Sequence, residues 1–349
     1  MSIKLHDIVK AQIDHIETDI IPYSIAFERE PLERMTQKYG DNWNDKIIPF
    51  ISIHGGIFDS WDTMKPIDPK KPEKVIDAYG SVWTKTEDIA QVDLPALKEV
   101  LLKDYRFPTL ENFLTPEKEE KLIKDCAASD MSYRIINLGA AYYEYTWRLL
   151  GIEGAFELII EDPDAYDYIL DNLNNLLYSF VDSVAGLPAD AMMFGDDWCD
   201  QRGCMMGPER WRGIFKPRLA GLFRKVHMTG KKVIMHVCGS IADIMPDLIE
   251  IGLDVVESVQ PEAKGMNPYL LKSRFGKNIT FWGALGCQNI VTFGTPEDLR
   301  AEIRKLRTEM PRGGGYILAP AKTLNSTIPT ANLSAIYETF IEENYKLTG

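Results

Sequence analysis

"KVIMHVCGSIADIMPDLIEIGLDVVESV", residues 232–259, holds two short apolar, β-rich runs separated by a glycine and a stretch with helical spacing. Two strands joined through a helix must run parallel, with a right-handed crossover. In the first run, strand alternation puts Ile234, His236 and Cys238 on one face and Val233, Met235 and Val237 on the other. The second face is wholly apolar and suits a layer of covering helices. His236 and Cys238 therefore face inward at the end of the strand, just before Gly239 lets the chain turn.

The same unit recurs from about residue 132 onward. The strand candidates are "YRIINLG" (133–139), "DAMMFGD" (190–196), "KVIMHVC" (232–238), "LDVVESV" (253–259), "ITFWGAL" (279–285) and "GYILAP" (315–320). Between them lie amphipathic helices. The clearest is "GPERWRGIFKPRLAGLFRKVHMTG" (207–230), where Trp211, Phe215, Leu219, Leu222 and Val226 follow steps of three or four, Pro217 predicts a bend and Gly230 a stop. Asn267 before Pro268 and Thr295 before Pro296 read as helix caps with proline in the first turn. "DIIPYSIAF" (19–27) and "KIIPFISIHG" (46–55) supply two more strands. Eight such strands close a (β/α)8 TIM barrel, the expected fold class, with a doubly wound open sheet as the alternative. The stretch from about 58 to 112 reads as an insertion with short strands such as "AYGSVWTKT", a flap for the barrel mouth, within one domain spanning residues 1–349.

Composition limits the partners. The chain has 349 residues, with 52 Asp and Glu against 39 Lys and Arg, a formal net charge of -13. Such a surface repels a phosphate backbone, so nucleic acid is not an expected partner. The N-terminus lacks the apolar core of a signal peptide, and no run is long enough to span a bilayer, which predicts a cytoplasmic protein. Five cysteines in a chain this long are too few and too scattered for a disulfide framework.

An imidazole and a thiolate two residues apart at a strand end can converge on one ion, and zinc accepts that pair readily. A catalytic zinc needs a third protein ligand. The neighbouring strand ends offer Asp197, Cys199, Cys204, Glu257 and Cys287; Cys199 is the first choice because its strand precedes that of His236. The adjacent carboxylates Asp196 and Asp197 repel one another, and an inward Asp197 suits substrate binding or proton transfer. The bland alternative has Asp196 capping its loop and Asp197 paired with Arg202. Tyr142, Trp198 and Trp282 read as aromatic walls of a substrate pocket, with Gln201 at its polar edge. The glycines of "RGGGYILAPAK" precede a strand and so do not form a phosphate loop; Lys322 after that strand reads as solvated or salt-bridged.

The run from "FGDDWCDQRGC" to "QPEAKGMNP", with "ITFWGALGCQNIVTFGTPEDLRAEI" and "GGGYILAPAKTLNSTIPTANL", resembles the uroporphyrinogen decarboxylase-like superfamily over roughly residues 130–345. The resemblance implies a single barrel with its site at the C-terminal face. The decarboxylases carry an R-Q-A-G-R type signature near the N-terminus, whose arginines receive the substrate carboxylates; this chain has "PYSIAFEREPLERM" there. The zinc-dependent corrinoid methyltransferases carry H-x-C-G, matched by His236, Cys238 and Gly239. Some members take a third thiolate from the loop after the last strand, where this chain has "APAKTLNS" and no cysteine. The resemblance thus implies transfer of a methyl group from a small donor, a methoxylated aromatic in O-demethylation, to the cobalt of a corrinoid (cobalamin) on a partner protein, since no D-x-H-x-x-G element is present. His236 and Asp197 are the expected catalytic residues and His236, Cys238 and Cys199 the expected zinc ligands. A metal-free decarboxylase and a non-catalytic binding barrel are the competing readings.

Overall fold

The structure is a computed structural model and describes residues 4–56, 58, 63–86, 90–98, 101–342 and 344–347. Seven strands form one parallel sheet in which spatial order follows chain order: β1 (Ile51–Gly55), β6 (Tyr133–Ala140), β7 (Ala191–Gly195), β8 (Lys232–His236), β9 (Val255–Val259), β10 (Thr280–Leu285) and β11 (Tyr316–Pro320). Each later strand falls within the segment read from the sequence except β6, which runs one residue further, to Ala140. The first segment, 19–27, is less regular. It runs parallel to β11 through a bridge at Tyr23–Leu318, and to the chain beyond β11 through one at Phe27–Leu324. Between it and β1 the described residues meet through side chains: the Tyr23 ring lies edge-on to Phe50, with centroids 5.2 Å apart. The chain folds as a (β/α)8 barrel whose eighth stave is irregular.

Local chemistry explains the helices. The run 207–230 breaks into Pro208–Ile214 and Lys216–His227, because Pro217 lacks the amide a continuous helix needs and instead opens the second piece. Asn267 Oδ1 accepts from Leu270 N at 3.1 Å, and Thr295 forms a reciprocal box with Asp298. The longest helix, Pro163–Val184, buries Tyr166, Leu170, Leu173, Leu177, Phe180, Val181 and Val184, the periodic face that covers the sheet. Gly314 has φ +71 to +76 glycines on both sides, and a Cβ on it would fall 2.4 Å from the His15 carbonyl carbon. The triple glycine is thus a tight turn against the loop at His15, leading into β11.

The insertion after β1 is a four-stranded antiparallel sheet in the order β2 (Lys65–Asp68), β3 (Lys71–Ile76), β4 (Val82–Lys85), β5 (Ala90–Leu94). It docks on the helix Tyr143–Leu150. Ser81 Oγ donates to Arg148 O at 2.8 Å, and the Arg148 guanidinium lies over Trp83, Tyr145 and Trp147. Inside the turn, Asp77 accepts from Tyr79 N, Ser81 N and Trp83 Nε1. None of the described residues of this insertion lines the central cavity. No helix among the described residues is long and apolar enough to cross a membrane.

Candidate active site and metal centre

At the C-terminal ends of the strands a cavity of about 630 Å³ opens. Its lining mixes apolar side chains, Ile25, Ile51, Ile53, Met193 and Trp282, with His236, Glu257, Lys322 and Asn325. Trp282 Nε1 donates to Ser24 Oγ at 2.8 Å, tying β10 to the irregular first stave across the mouth. A site of this size and mixed lining suits a small ligand.

His236 ends β8, and its ring faces the cavity. Two residues on, Cys238 Sγ lies 3.3 Å from His236 Nε2. Asp197, just past the end of β7, accepts from Cys238 N at 2.9 Å. One ligand atom from each of Asp197, His236 and Cys238 falls within 4.8 Å of the other two, the one such group of three among the described residues. The turn that permits this needs glycine. Gly239 has φ +82, and a Cβ there would lie 2.5 Å from Asp200 O and 2.8 Å from Cys199 O. The loop after β8 is therefore pressed against the loop after β7, with Ser240 N donating to Asp200 O at 2.8 Å.

Glu257, from β9, contacts His236 Nδ1. Burial alone would lower the imidazole pKa, but Glu257 and Cys238 outweigh it and hold His236 well above its ordinary 6.5. Lys322, just past β11, reaches the same cluster. Burial would lower its ammonium as well; Cys238, Asp197 and Glu257 raise it above the usual lysine range. The site is a compact set of alternating charges drawn from four strand ends.

The structure separates the residues read from the sequence. His236, Cys238 and Asp197 come together, and Trp282 lines the cavity. Cys199 does not join the ligand group. Its backbone pairs with Cys204 in a small hairpin and its thiol contacts the Cys204 thiol, so Asp197 stands where Cys199 was expected as third ligand. Tyr142 and Trp198 are fully buried in the core rather than in the pocket wall. Tyr142 Oη donates to Asn174 Oδ1, and Trp198 packs edge-on against Trp211. Gln201 is exposed on the hairpin, 3.4 Å from Gln260 Oε1, and does not line the cavity. Arg202 pairs with Asp200, not Asp197.

Asp196 has a structural task. Its carboxylate accepts from the backbone N–H groups of Tyr142, Tyr143 and Glu144 and from Trp198 Nε1, at 2.8–3.0 Å. The three backbone groups are the unpaired donors at the start of the helix Tyr143–Leu150. Burial and Glu144 push its pKa up, against the pull of the backbone donors. Four N–H groups converging on two oxygens fit the ionised form.

Glu257 and Lys322 join the site beyond the roles their sequence context suggests. From the sequence Glu257 is a candidate ligand, and Lys322 a solvated or salt-bridged lysine, of which the structure shows the second: its neighbours are Cys238, Asp197 and Glu257. The signal lay in their position: each closes or follows a strand at the C-terminal end, and barrel closure brings these ends to one mouth.

Residues 147–342, more than half of the chain, match the model of the family described as uroporphyrinogen decarboxylase (URO-D). The chain belongs to the URO-D family. Among solved structures, this URO-D family member is similar to a methyltransferase from Methanosarcina mazei, with a TM-score of 0.68 and 16% identity over 98% of this chain and 99% of that one. Weaker likenesses include a 3-keto-D-glucoside 4-epimerase from E. coli, TM-score 0.40 at 12% identity over 66% of this chain and 84% of that one. A D-psicose 3-epimerase from Clostridium cellulolyticum H10 gives 0.42 at 9% over 68% and 84%. No curated protein matches the sequence.

Within the URO-D family a zinc ion is implied for the methyltransferase branch, and the donor set here fits one. Imidazole nitrogen, thiolate sulfur and carboxylate oxygen are all zinc ligands. The Glu257 carboxylate on Nδ1 fixes the tautomer that leaves Nε2 free to ligate, the usual support for a metal-bound histidine.

Proposed function

We propose that this protein transfers a methyl group from a small methylated donor, a methoxylated aromatic, to the cobalt of a corrinoid carried by a separate protein. The observation that carries the proposal is the convergence of His236 Nε2, Cys238 Sγ and an Asp197 oxygen beside the cavity. The full-length likeness in fold to a methyltransferase agrees with it.

His236, Cys238 and Asp197 would hold zinc, which when bound supplies a Lewis acid for the oxygen that loses its methyl group. The chain's own groups do the rest. Ile51, Ile53 and Trp282 offer an apolar wall against which an aromatic ring is oriented. The Lys322 Nζ, held protonated by its anionic neighbours, donates toward the negative charge developing on the departing oxygen. Glu257 keeps the His236 ring in one orientation. A cavity of about 630 Å³ is of a size to take a small donor, and a corrinoid on a separate carrier would approach at its mouth.

Porphyrinogen decarboxylation is poorly served by this site. A polycarboxylate needs clustered cations. Of the described cavity-lining residues, Lys322 is the one lysine or arginine, and it lies among Cys238, Asp197 and Glu257. Arg29 and Arg34 of the N-terminal segment pair with Glu33 and Glu30 outside the cavity.

The test combines elemental analysis with turnover. Zinc-reconstituted protein is expected to bind one ion per chain and, with reduced corrinoid protein, to demethylate a member of a methoxyarene panel. His236→Ala and Asp197→Ala should lose the ion, and Cys199→Ala should keep it. Zinc retained in His236→Ala, or lost in Cys199→Ala alone, removes the basis of the assignment.

A further inference from the structure

The hairpin "DWCDQRGCMM", residues 197–206, carries two cysteines that the site does not use. Cys199 and Cys204 sit directly opposite one another across an antiparallel bridge. The flanking hydrogen bonds are Asp200 N to Gly203 O and Met205 N to Trp198 O, each 2.9 Å. Cys199 and Cys204 are therefore a non-hydrogen-bonded pair. In such pairs the Cα atoms approach to about 4.5 Å, within the roughly 4.4–6.8 Å that a disulfide spans. Their thiols are already in contact. Cys199 is buried, whereas Cys204 is half-exposed beside exposed Met205.

The other three cysteines lack such a partner. Cys126 is buried beneath its helix, Cys238 faces His236, and the Cys287 thiol donates to the carbonyls of Leu285 and Lys322.

We propose that Cys199 and Cys204 are a redox-active dithiol that closes to a disulfide inside this hairpin without rearranging its backbone. The oxidant is a small disulfide such as oxidised glutathione. The Cys204 thiolate attacks it, forming a mixed disulfide and releasing one glutathione thiolate. The Cys199 thiolate then attacks the Cys204 sulfur and releases the second. Two protein thiols are oxidised, one glutathione disulfide is reduced to two thiols, and the two protons pass to the leaving thiolates. The modification site lies against the candidate centre: Asp197 is two residues before Cys199, and the hairpin carbonyls of Cys199 and Asp200 press on Gly239.

The experiment equilibrates the intact protein in oxidised and in reduced glutathione, blocks free thiols with an alkylating agent in denaturant and digests with trypsin. Arg202, with a side chain 90% exposed, lies between the two cysteines, so cleavage after it places them on separate peptides. Peptide 149–202 should appear joined to peptide 203–210, lighter than their sum by two hydrogens, with loss of two of the five alkylatable thiols. Cys204→Ser should abolish the joined peptide and leave the other four thiols reactive. Five alkylated cysteines in the oxidising buffer overturn the proposal, as does a link made by Cys238 or Cys287, or a stable mixed disulfide on Cys204. The wild-type map alone decides the matter if the variant fails to fold.

Discussion

Glu257 stands behind His236, its carboxylate on Nδ1, while the opposite ring nitrogen faces Cys238 Sγ at 3.3 Å. The two nitrogens therefore have different tasks, and Glu257 acts through His236 as a positioning residue. Glu257→Gln keeps an acceptor for the Nδ1 proton but loses the charge; Glu257→Ala loses both. Zinc affinity is expected to fall about 10-fold to 100-fold, more in the alanine variant. Competition with a calibrated chelator measures this. Affinity that is unchanged in both variants would show that the carboxylate does not orient the ring.

Lys322 should make the opposite contribution to metal binding. Its ammonium lies among Cys238, Asp197 and Glu257, where a cation would also be drawn. Replacing it with Met removes a repelling charge and should tighten zinc binding, roughly 10-fold at the screening expected near a solvated cavity. Methyl transfer should fall in the same variant, because no donor then faces the departing oxygen. Weaker zinc binding in Lys322→Met would refute this placement of the ammonium.

How much of this was legible beforehand follows from what each residue depends on. His236 and Cys238 were readable from their own strand, since alternation and a following glycine are local properties. Pro217, Asn267 and Thr295 were readable for the same reason. The third member of the candidate donor group was not, because it depends on how two loops stack. Gly239 packs on the carbonyls of Cys199 and Asp200, which turns Asp197 toward Cys238 and leaves Cys199 facing Cys204. Tyr142 and Trp198 show the limit of composition: an aromatic at a strand end suits a pocket wall or the core equally, and both went to the core. The first stave was weakly written, and it pairs with β11 and the chain just beyond it through two isolated bridges.

Asp196 offers a test of architecture separate from chemistry. Its four N–H donors, three of them at the start of the helix Tyr143–Leu150, lose their acceptor in Asp196→Ala. Burying unpaired donors costs about 1–3 kcal/mol each at most, and water will enter to satisfy some of them, so a net loss of roughly 3 kcal/mol is expected. Asp196→Asn should fall between, since its amide turns one N–H group against another. Denaturant unfolding measures both. A loss below ~0.5 kcal/mol in Asp196→Ala would mean the cradle is not a stabilising contact.

The acid limb of stability should trace to the opposite end of the barrel. Asp254 accepts from Val233 N at 2.8 Å and pairs with His227 Nε2 at 2.7 Å and Lys232 Nζ at 3.1 Å. Burial alone would raise its pKa, but His227, the Val233 amide and Lys232 together hold it below the ordinary 3.8. A carboxyl whose folded pKa lies below its unfolded one favours the native state whenever it is ionised. That stabilisation is complete above about pH 4 and is lost as pH falls through the depressed folded value. Asp254→Asn should therefore be less stable than the wild type at neutral pH, by roughly 1–3 kcal/mol. The gap should narrow as the wild type is acidified below about pH 4. Urea midpoints for both proteins across that range give the comparison. A gap that stays constant down to the lowest pH at which both fold would show that Asp254 supports the native state through its shape and not its charge.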